Sequence, residues 1–362
     1  MRKALLLMAA IGPILGVIFC VFPGVLIPPA EAKKKDITQV LELPKDPPQA
    51  VAAETRNLIF HVAPLTTKGL LSQQIRDGLK ALLKANSGDT VVKIRAFVSG
   101  TGDMRRVPAL VSEIMTDKHL ALPAVSVIQV GGLPLEGAQV SLESISVSRK
   151  ETNPGGILLI GGQEASTPKP FESTLPLAEA ALTKLDAVLA GTQALRVTCF
   201  TTSLADAPRL QTQVTARYPQ AAVSIVVLQR AASRSTVSCE AASRLPDHDF
   251  KLNGNEATAV LSPRIAFTGT QVAFGFEDND ARLAFKRLDK ALEPLGASTK
   301  TVALANFYPL SNSIARQIDK IRLEFFNPRE LPPSTNLPFE GLPSIDASFA
   351  VEVAAAISGR TP

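Results

Sequence analysis

One order of elements recurs three times along this 362-residue chain. Hydrophobic periodicity predicts strand, helix, strand, helix and two closing strands, repeated about every hundred residues, and such repetition constrains the fold more than any single motif. The three opening strands read NLIFHVAP, GILLIGGQ and RIAFTGTQ, at residues 57–64, 156–163 and 264–271. Each is followed by an apolar stripe at helical spacing, predicting helices over 70–85, 176–190 and 280–295. In the first, Leu71, Ile75, Leu79, Leu82 and Leu83 share one face. Middle strands are expected at 90–98, 195–201 and 301–308, and second helices at 107–118, 207–217 and 312–326. Pro108 fits a helix only in its first turn. Each repeat closes on two alternating runs separated by a turn; in the first, residues 122–149, Val125, Val127 and Val130 precede Gly131-Gly132-Leu133-Pro134, and Val140, Leu142 and Ile145 follow. That pattern reads as a strand pair. The expected result is an α+β chain of three units, each a mixed sheet with two helices on one face.

The closing strands each carry one acidic residue, Glu143, Glu240 or Glu352. Together with Leu122-Pro123-Ala124, Leu133-Pro134 and Leu142-Glu143 in the first unit, and Pro332-Pro333, Leu342-Pro343 and Val351-Glu352 in the third, these endings resemble a known signature. It is that of the Rid (YjgF-like) family of reactive-intermediate deaminases, roughly P-A-R-S-x-V-x-V-x-x-L-P, a short spacer and a strand with E-I-E-A; the middle copy matches least. Gly162-Gln163, and Gly269 with Gln271, also resemble the family's I-x-x-S-G-Q segment. The resemblance implies a chorismate-mutase-like fold that buries its uncovered sheet faces by trimerising, with ligand clefts between neighbours. Three units in one chain would close as an intrachain pseudo-trimer, a monomer in solution, with units over 36–150, 151–246 and 247–362.

The resemblance also implies a site, in which the signature arginine holds a substrate carboxylate and a glutamate on the last strand directs water. Aligned on the prolines, that arginine is replaced by Val125, by Ala221 or Ala222, and by Ser334. None offers the planar two-pronged donor that grips a carboxylate. Glu143, Glu240 and Glu352 are candidate cleft carboxylates, or else acids tied to basic neighbours, and Arg95, Arg196 or Arg234 are candidates to take over anion binding. The expected function is a small-molecule-binding module; the alternative is an imine or enamine deaminase or related hydrolase.

Other chemistry finds little support. The net charge of +5 is spread out, and two Tyr and no Trp leave no aromatic interleaving for nucleic acid. His61, His119 and His248 do not cluster with cysteines, so neither a metal site nor a cofactor is expected. No G-x-S-x-G elbow or phosphate-binding glycine loop occurs.

The first 32 residues start Met1-Arg2-Lys3, run apolar over 4–27 and end Ala30-Glu31-Ala32. That is an export signal cleaved after Ala32, placing the protein in the periplasm or outside the cell; an uncleaved anchor over 4–27 is the alternative. Lys33-Lys34-Lys35, a possible edge strand at 37–43 and a proline-rich turn follow as a spacer. Export permits a disulfide between Cys199 and Cys239, whose strands are neighbours in the resembled fold; the preferred reading is two buried, unlinked side chains.

Overall fold

A computed structural model describes residues 44–100, 103–170, 172–228, 234–246 and 256–358. The leader, the lysine run, the possible strand at 37–43 and residues 247–255 between the second and third units lie outside the described residues. No described helix is long and apolar enough to cross a membrane.

The first unit contains β1 (Ala50–Glu54), β2 (Leu58–Val62), α1 (Leu71–Ala85), β3 (Thr90–Ser99), α2 (Arg106–Asp117), β4 (Ala124–Val130) and β5 (Val140–Val147). Pro108 falls in the first turn of α2, where its missing N–H has no partner to lose. The sheet runs β2-β5-β3-β4. The expected strand pair is therefore two strands that do not touch: β4 joins β3 in parallel after the α2 crossover, and β5 enters on the other side of β3, antiparallel. A strand returning through a helix must come back parallel, so the partner of β4 was already fixed upstream.

The second unit repeats this with β6 (Ile157–Thr167), α3 (Leu175–Leu189), β7 (Ala194–Thr201), α4 (Ala207–Arg217), β8 (Ala222–Val227) and β9 (Ser235–Arg244). Cys199 and Cys239 face each other across β7 and β9 and form a disulfide, correcting the unlinked reading; opposed positions on paired strands bring the Cα atoms to 4.0 Å. The third unit has β10 (Ala257–Val260), β11 (Arg264–Thr268), β12 (Gln271–Phe274), α5 (Asp278–Leu292), β13 (Val302–Pro309), α6 (Asn312–Phe325), β14 (Ser334–Asn336) and β15 (Ala347–Ala356). Ser311 caps α6, its side chain accepting from Ile314 N–H, and Glu277 with Asp280 forms a capping box on α5.

Each sheet packs one face on its own two helices. Ile75, Leu79, Val107 and Val111 meet Ile94, Ala96 and Leu142; Leu182, Leu185 and Leu210 meet Val197 and Ala241; Phe285, Leu288 and Ile318 meet Phe307 and Val351. The opposite faces meet one another. One apolar cluster joins Phe60, Ile145, Leu159, Ala242, Phe267 and Leu304, and another joins Phe97, Ile128, Phe200, Val226, Tyr308 and Phe339, so both draw on all three units.

Short arms tie the units in sequence. β1, read from sequence as part of a spacer, leaves the first unit and pairs antiparallel with β11 of the third; β10 leaves the third and pairs antiparallel with β6 of the second. Before the second unit, Thr152 and Asn153 donate their backbone N–H groups to the Arg56 carbonyl of the first. Every arm therefore reaches the preceding unit in the same cyclic order.

At two of these junctions a glycine lets strands approach closely. A Cβ on Gly161 would stand 2.8 Å from both Pro333 Cβ and Ser334 N, and one on Gly269 would stand 3.0 Å from the Val125 carbonyl oxygen. Val62 occupies the matching position in the first unit, because Phe60, Leu159 and Phe267 face Ile145, Ala242 and Ala354 in register. Gly161→Val is expected to lower unfolding free energy by about 1–3 kcal/mol in a denaturant titration, since the clash is partly with backbone. Parent-like stability would contradict this close approach.

Candidate functional site

Strand register defines matching inner-face positions. Arg95 lies opposite Glu143 and beside Ser126, Thr198 opposite Glu240 and beside Ser224, and Asn306 opposite Glu352 and beside Thr335. Two residues earlier on the same strands stand Lys93, Arg196 and Leu304; two later stand Phe97, Phe200 and Tyr308. Because strand side chains alternate, all of these point away from the helices. They fill the region where the three sheets meet.

The structure brings Glu143, Glu240 and Glu352 together in one buried cluster instead of placing one in each cleft. Their relative exposures are 2%, 2% and 3%, and the cations among them, Lys93, Arg95 and Arg196, are 6%, 3% and 5% exposed. Three carboxylates thus face three cations. Lys93 Nζ lies 2.6 Å from Glu352; Arg95 donates through Nε to Glu143 and reaches Glu240 at 3.4 Å and Glu352 at 3.5 Å; Arg196 reaches Glu143 at 3.5 Å and Glu240 at 3.9 Å. Tyr308 donates to Glu352 at 2.9 Å, and Asn306 Nδ2 does so at 3.3 Å.

Hydroxyl donors complete the pattern. Ser224 of the second unit donates to Glu143 of the first at 3.3 Å, Thr335 of the third to Glu240 of the second at 2.6 Å, and Ser126 of the first to Glu352 of the third. Matching residues thus form a closed cycle of three hydrogen bonds, each crossing between units. Burial alone raises the Glu352 carboxyl, but Lys93 and Arg95 beside it, with hydrogen bonds from Lys93 and Tyr308, hold it down at about 2. Glu143 is likewise below its ordinary value, because Arg95 and Arg196 outweigh burial. Burial and the Glu352 charge raise Tyr308, so its phenol stays a donor.

These acids have their charge neutralised and no room for a substrate. The cavity beside them, lined by Lys93, Arg95, Glu143, Arg196, Asn306 and Glu352, measures about 30 Å³. Ligand sites ordinarily need on the order of 300 Å³ or more. Arg95 and Arg196, candidates for anion binding in a cleft, are committed to the cluster, and Arg234 lies on the surface 3.1 Å from Glu164. Sequence reasoning missed Lys93 and Tyr308. Their signal was polar residues alternating with apolar ones in central strands, as in Lys93, Arg95 and Phe97 interleaved with Ile94, Ala96 and Val98.

The positions of the resembled arginine fall on the strand edges. Register places Val125 beside Ile94, Val223 beside Val197 and Ser334 beside Ala305, so the middle-unit residue is Val223 rather than Ala221, which precedes β8, or Ala222, which pairs one position earlier with Arg196. The correction arises because proline alignment ignores where the strand begins pairing, and it leaves the site still without a guanidinium. Where Gly161 and Gly269 sit, Pro333, Ser334 and Val125 press against the opening strand of the neighbouring unit. Between β2 and β8 with α4 a cleft of about 660 Å³ remains, lined by Phe60, Val62, Ala221, Val223, Gln211 and Thr215. Among the described residues, no group of three or more His, Cys, Asp or Glu is arranged to hold a metal ion.

Because Glu352 titrates at about 2 in the fold and near 4.5 when unfolded, its stabilisation is complete above pH 4.5 and is lost as pH falls towards 2. Glu352→Gln should therefore lower stability at neutral pH and flatten the acid limb of a stability–pH curve over that window. An unchanged slope, read by denaturant unfolding at each pH, would contradict the pairing.

No known family profile matches the chain, and no curated protein does. Solved structures do. NMB1025, a YjgF-family protein from Neisseria meningitidis, is 12% identical over 31% of this chain and 96% of its own, with a TM-score of 0.25. The yjgF gene product of E. coli is 22% identical over 30% and 98%, with a TM-score of 0.23. E. coli TdcF, solved with bound serine, is 16% identical over 29% and 98%, also at 0.23. Nearly the whole of each of these chains aligns with about a third of this one.

Proposed function

We propose that this chain is an exported binding protein built as a closed pseudo-trimer of three Rid-like units, and that it does not hydrolyse imines. The observation that carries this reading is the commitment of Glu143, Glu240 and Glu352 to one buried, charge-balanced cluster beside a cavity of about 30 Å³. A general base must reach the water it activates, and these carboxylates reach only protein donors among the described residues. The missing arginine points the same way, since Val125, Val223 and Ser334 cannot orient a substrate carboxylate.

The binding site in this reading is the cleft between the first and second units. Its volume of about 660 Å³ suits a small molecule or a short stretch of polypeptide. Mutual burial of the inner faces supports a monomer, because the apolar surface each unit leaves uncovered by its own helices is buried among the described residues of the other two. The Cys199–Cys239 disulfide supports export to an oxidising compartment.

Purified protein is expected to leave 2-iminobutanoate hydrolysis at its uncatalysed rate in a coupled assay. Turnover in the range of an active deaminase of the family would overturn the reading.

A further inference from the structure

Two of the three opening strands carry an added antiparallel strand on their outer edge, and among the described residues the third does not. On β6, Leu159 and Gly161 face Thr258 and Glu256, with Gly161 N–H donating to the Glu256 carbonyl at 2.9 Å. On β11, Phe267 and Gly269 face Val51 and Gln49, with Gly269 N–H donating to the Gln49 carbonyl at 2.6 Å. The matching residues of β2 are Phe60 and Val62.

Ala63 N–H donates to Leu142, and Ser148 N–H to Asn57. This fixes the antiparallel ladder so that Ile59 and His61 turn their backbone groups to β5, while Leu58, Phe60 and Val62 turn theirs outward. The Leu58 carbonyl accepts from Asn153 Nδ2 at 2.7 Å and Thr152 Oγ1 at 3.1 Å. The N–H and C=O of Phe60 and Val62 have no hydrogen-bond partner among the described residues, and they face the cleft of about 660 Å³. The connection between β5 and β6, residues 148–156, supplies side-chain bonds but no arm strand of its own.

We propose that this edge captures an extended polypeptide segment of a partner, added antiparallel to β2 within the cleft. The inference rests on the reading of the chain as a binding protein and names its ligand class. An unpaired edge beside a groove is how main-chain hydrogen bonds recruit a peptide, with alternate side chains setting preference. The molecule itself displays the preference. β1 sends Val51 and Ala53 inward and Ala52 towards the helices; β10 sends Val260 inward and Ala257 towards the helices. The captured segment is therefore small and mostly apolar, alanine alternating with valine or threonine. Gln211, Thr215, Gln220 and Val223 line the facing wall, and Arg244 is the cation among the residues that line the cleft.

The test is an NMR titration of the full chain with a synthetic peptide of residues 49–54, reading the Phe60 and Val62 amides. The expected result is saturable shifts at both, weakened about tenfold or more by Val62→Pro, which removes one outward donor without breaking the β5 ladder. Thr215→Trp, which fills the groove from exposed α4 and leaves β2 untouched, should weaken binding equally. The same peptide with proline at its centre should not bind. Binding insensitive to both variants, absence of shifts, or slow hydrogen exchange of these amides in the free protein, meaning that another segment already fills the edge, would each overturn the inference. An assay for imine turnover on the same sample separates the two failures: no peptide binding without turnover rejects the peptide alone, whereas turnover rejects the binding-protein reading.

Discussion

Three carboxylates can be sealed in a protein interior only if three positive charges are sealed with them. Taking an ion out of water costs several kcal/mol, recovered only by close partners and satisfied hydrogen bonds. Glu143, Glu240 and Glu352 meet that requirement through cations and hydroxyl donors that come from more than one unit each. Apolar clusters flank these charges, one around Phe60 and Phe267 and another around Phe97 and Phe200, and each draws on all three units.

The charges are not shared equally. The first unit supplies Lys93 and Arg95, the second Arg196, and the third no cation but Tyr308 and Asn306, both donating to its own Glu352. Identical copies could not do this: three arginines at the Arg95 position would crowd one another where the chain instead has Arg95, Thr198 and Asn306. Neutrality is reached by divergence within one covalent chain. The same freedom distinguishes the junctions, with glycine at Gly161 and Gly269 allowing close approach and Val62 standing at the cleft.

Most elements were legible because each buries one face and so leaves a period in the sequence. The α1 stripe from Leu71 to Leu82 and the alternation along β3 needed no knowledge of partners. Pairing was harder. β1 and β10 are four- or five-residue, alanine-rich segments whose partners lie in another unit, and nothing local distinguishes them from a spacer. The retained glutamates and their possible pairing with basic side chains could be read from residue type. Their convergence could not, because it depends on how three inner faces meet. The middle-unit position matching Val125 and Ser334, read from spacing as Ala221 or Ala222, is Val223 for a related reason: strand register, which sequence spacing does not report, decides it.

If a shared ionic and apolar interior holds the units together, none should unfold alone. Scanning calorimetry of the full chain tests this most directly. The account predicts a single transition whose calorimetric and van't Hoff enthalpies agree; two or three resolved transitions, each with the enthalpy of one unit, would contradict it.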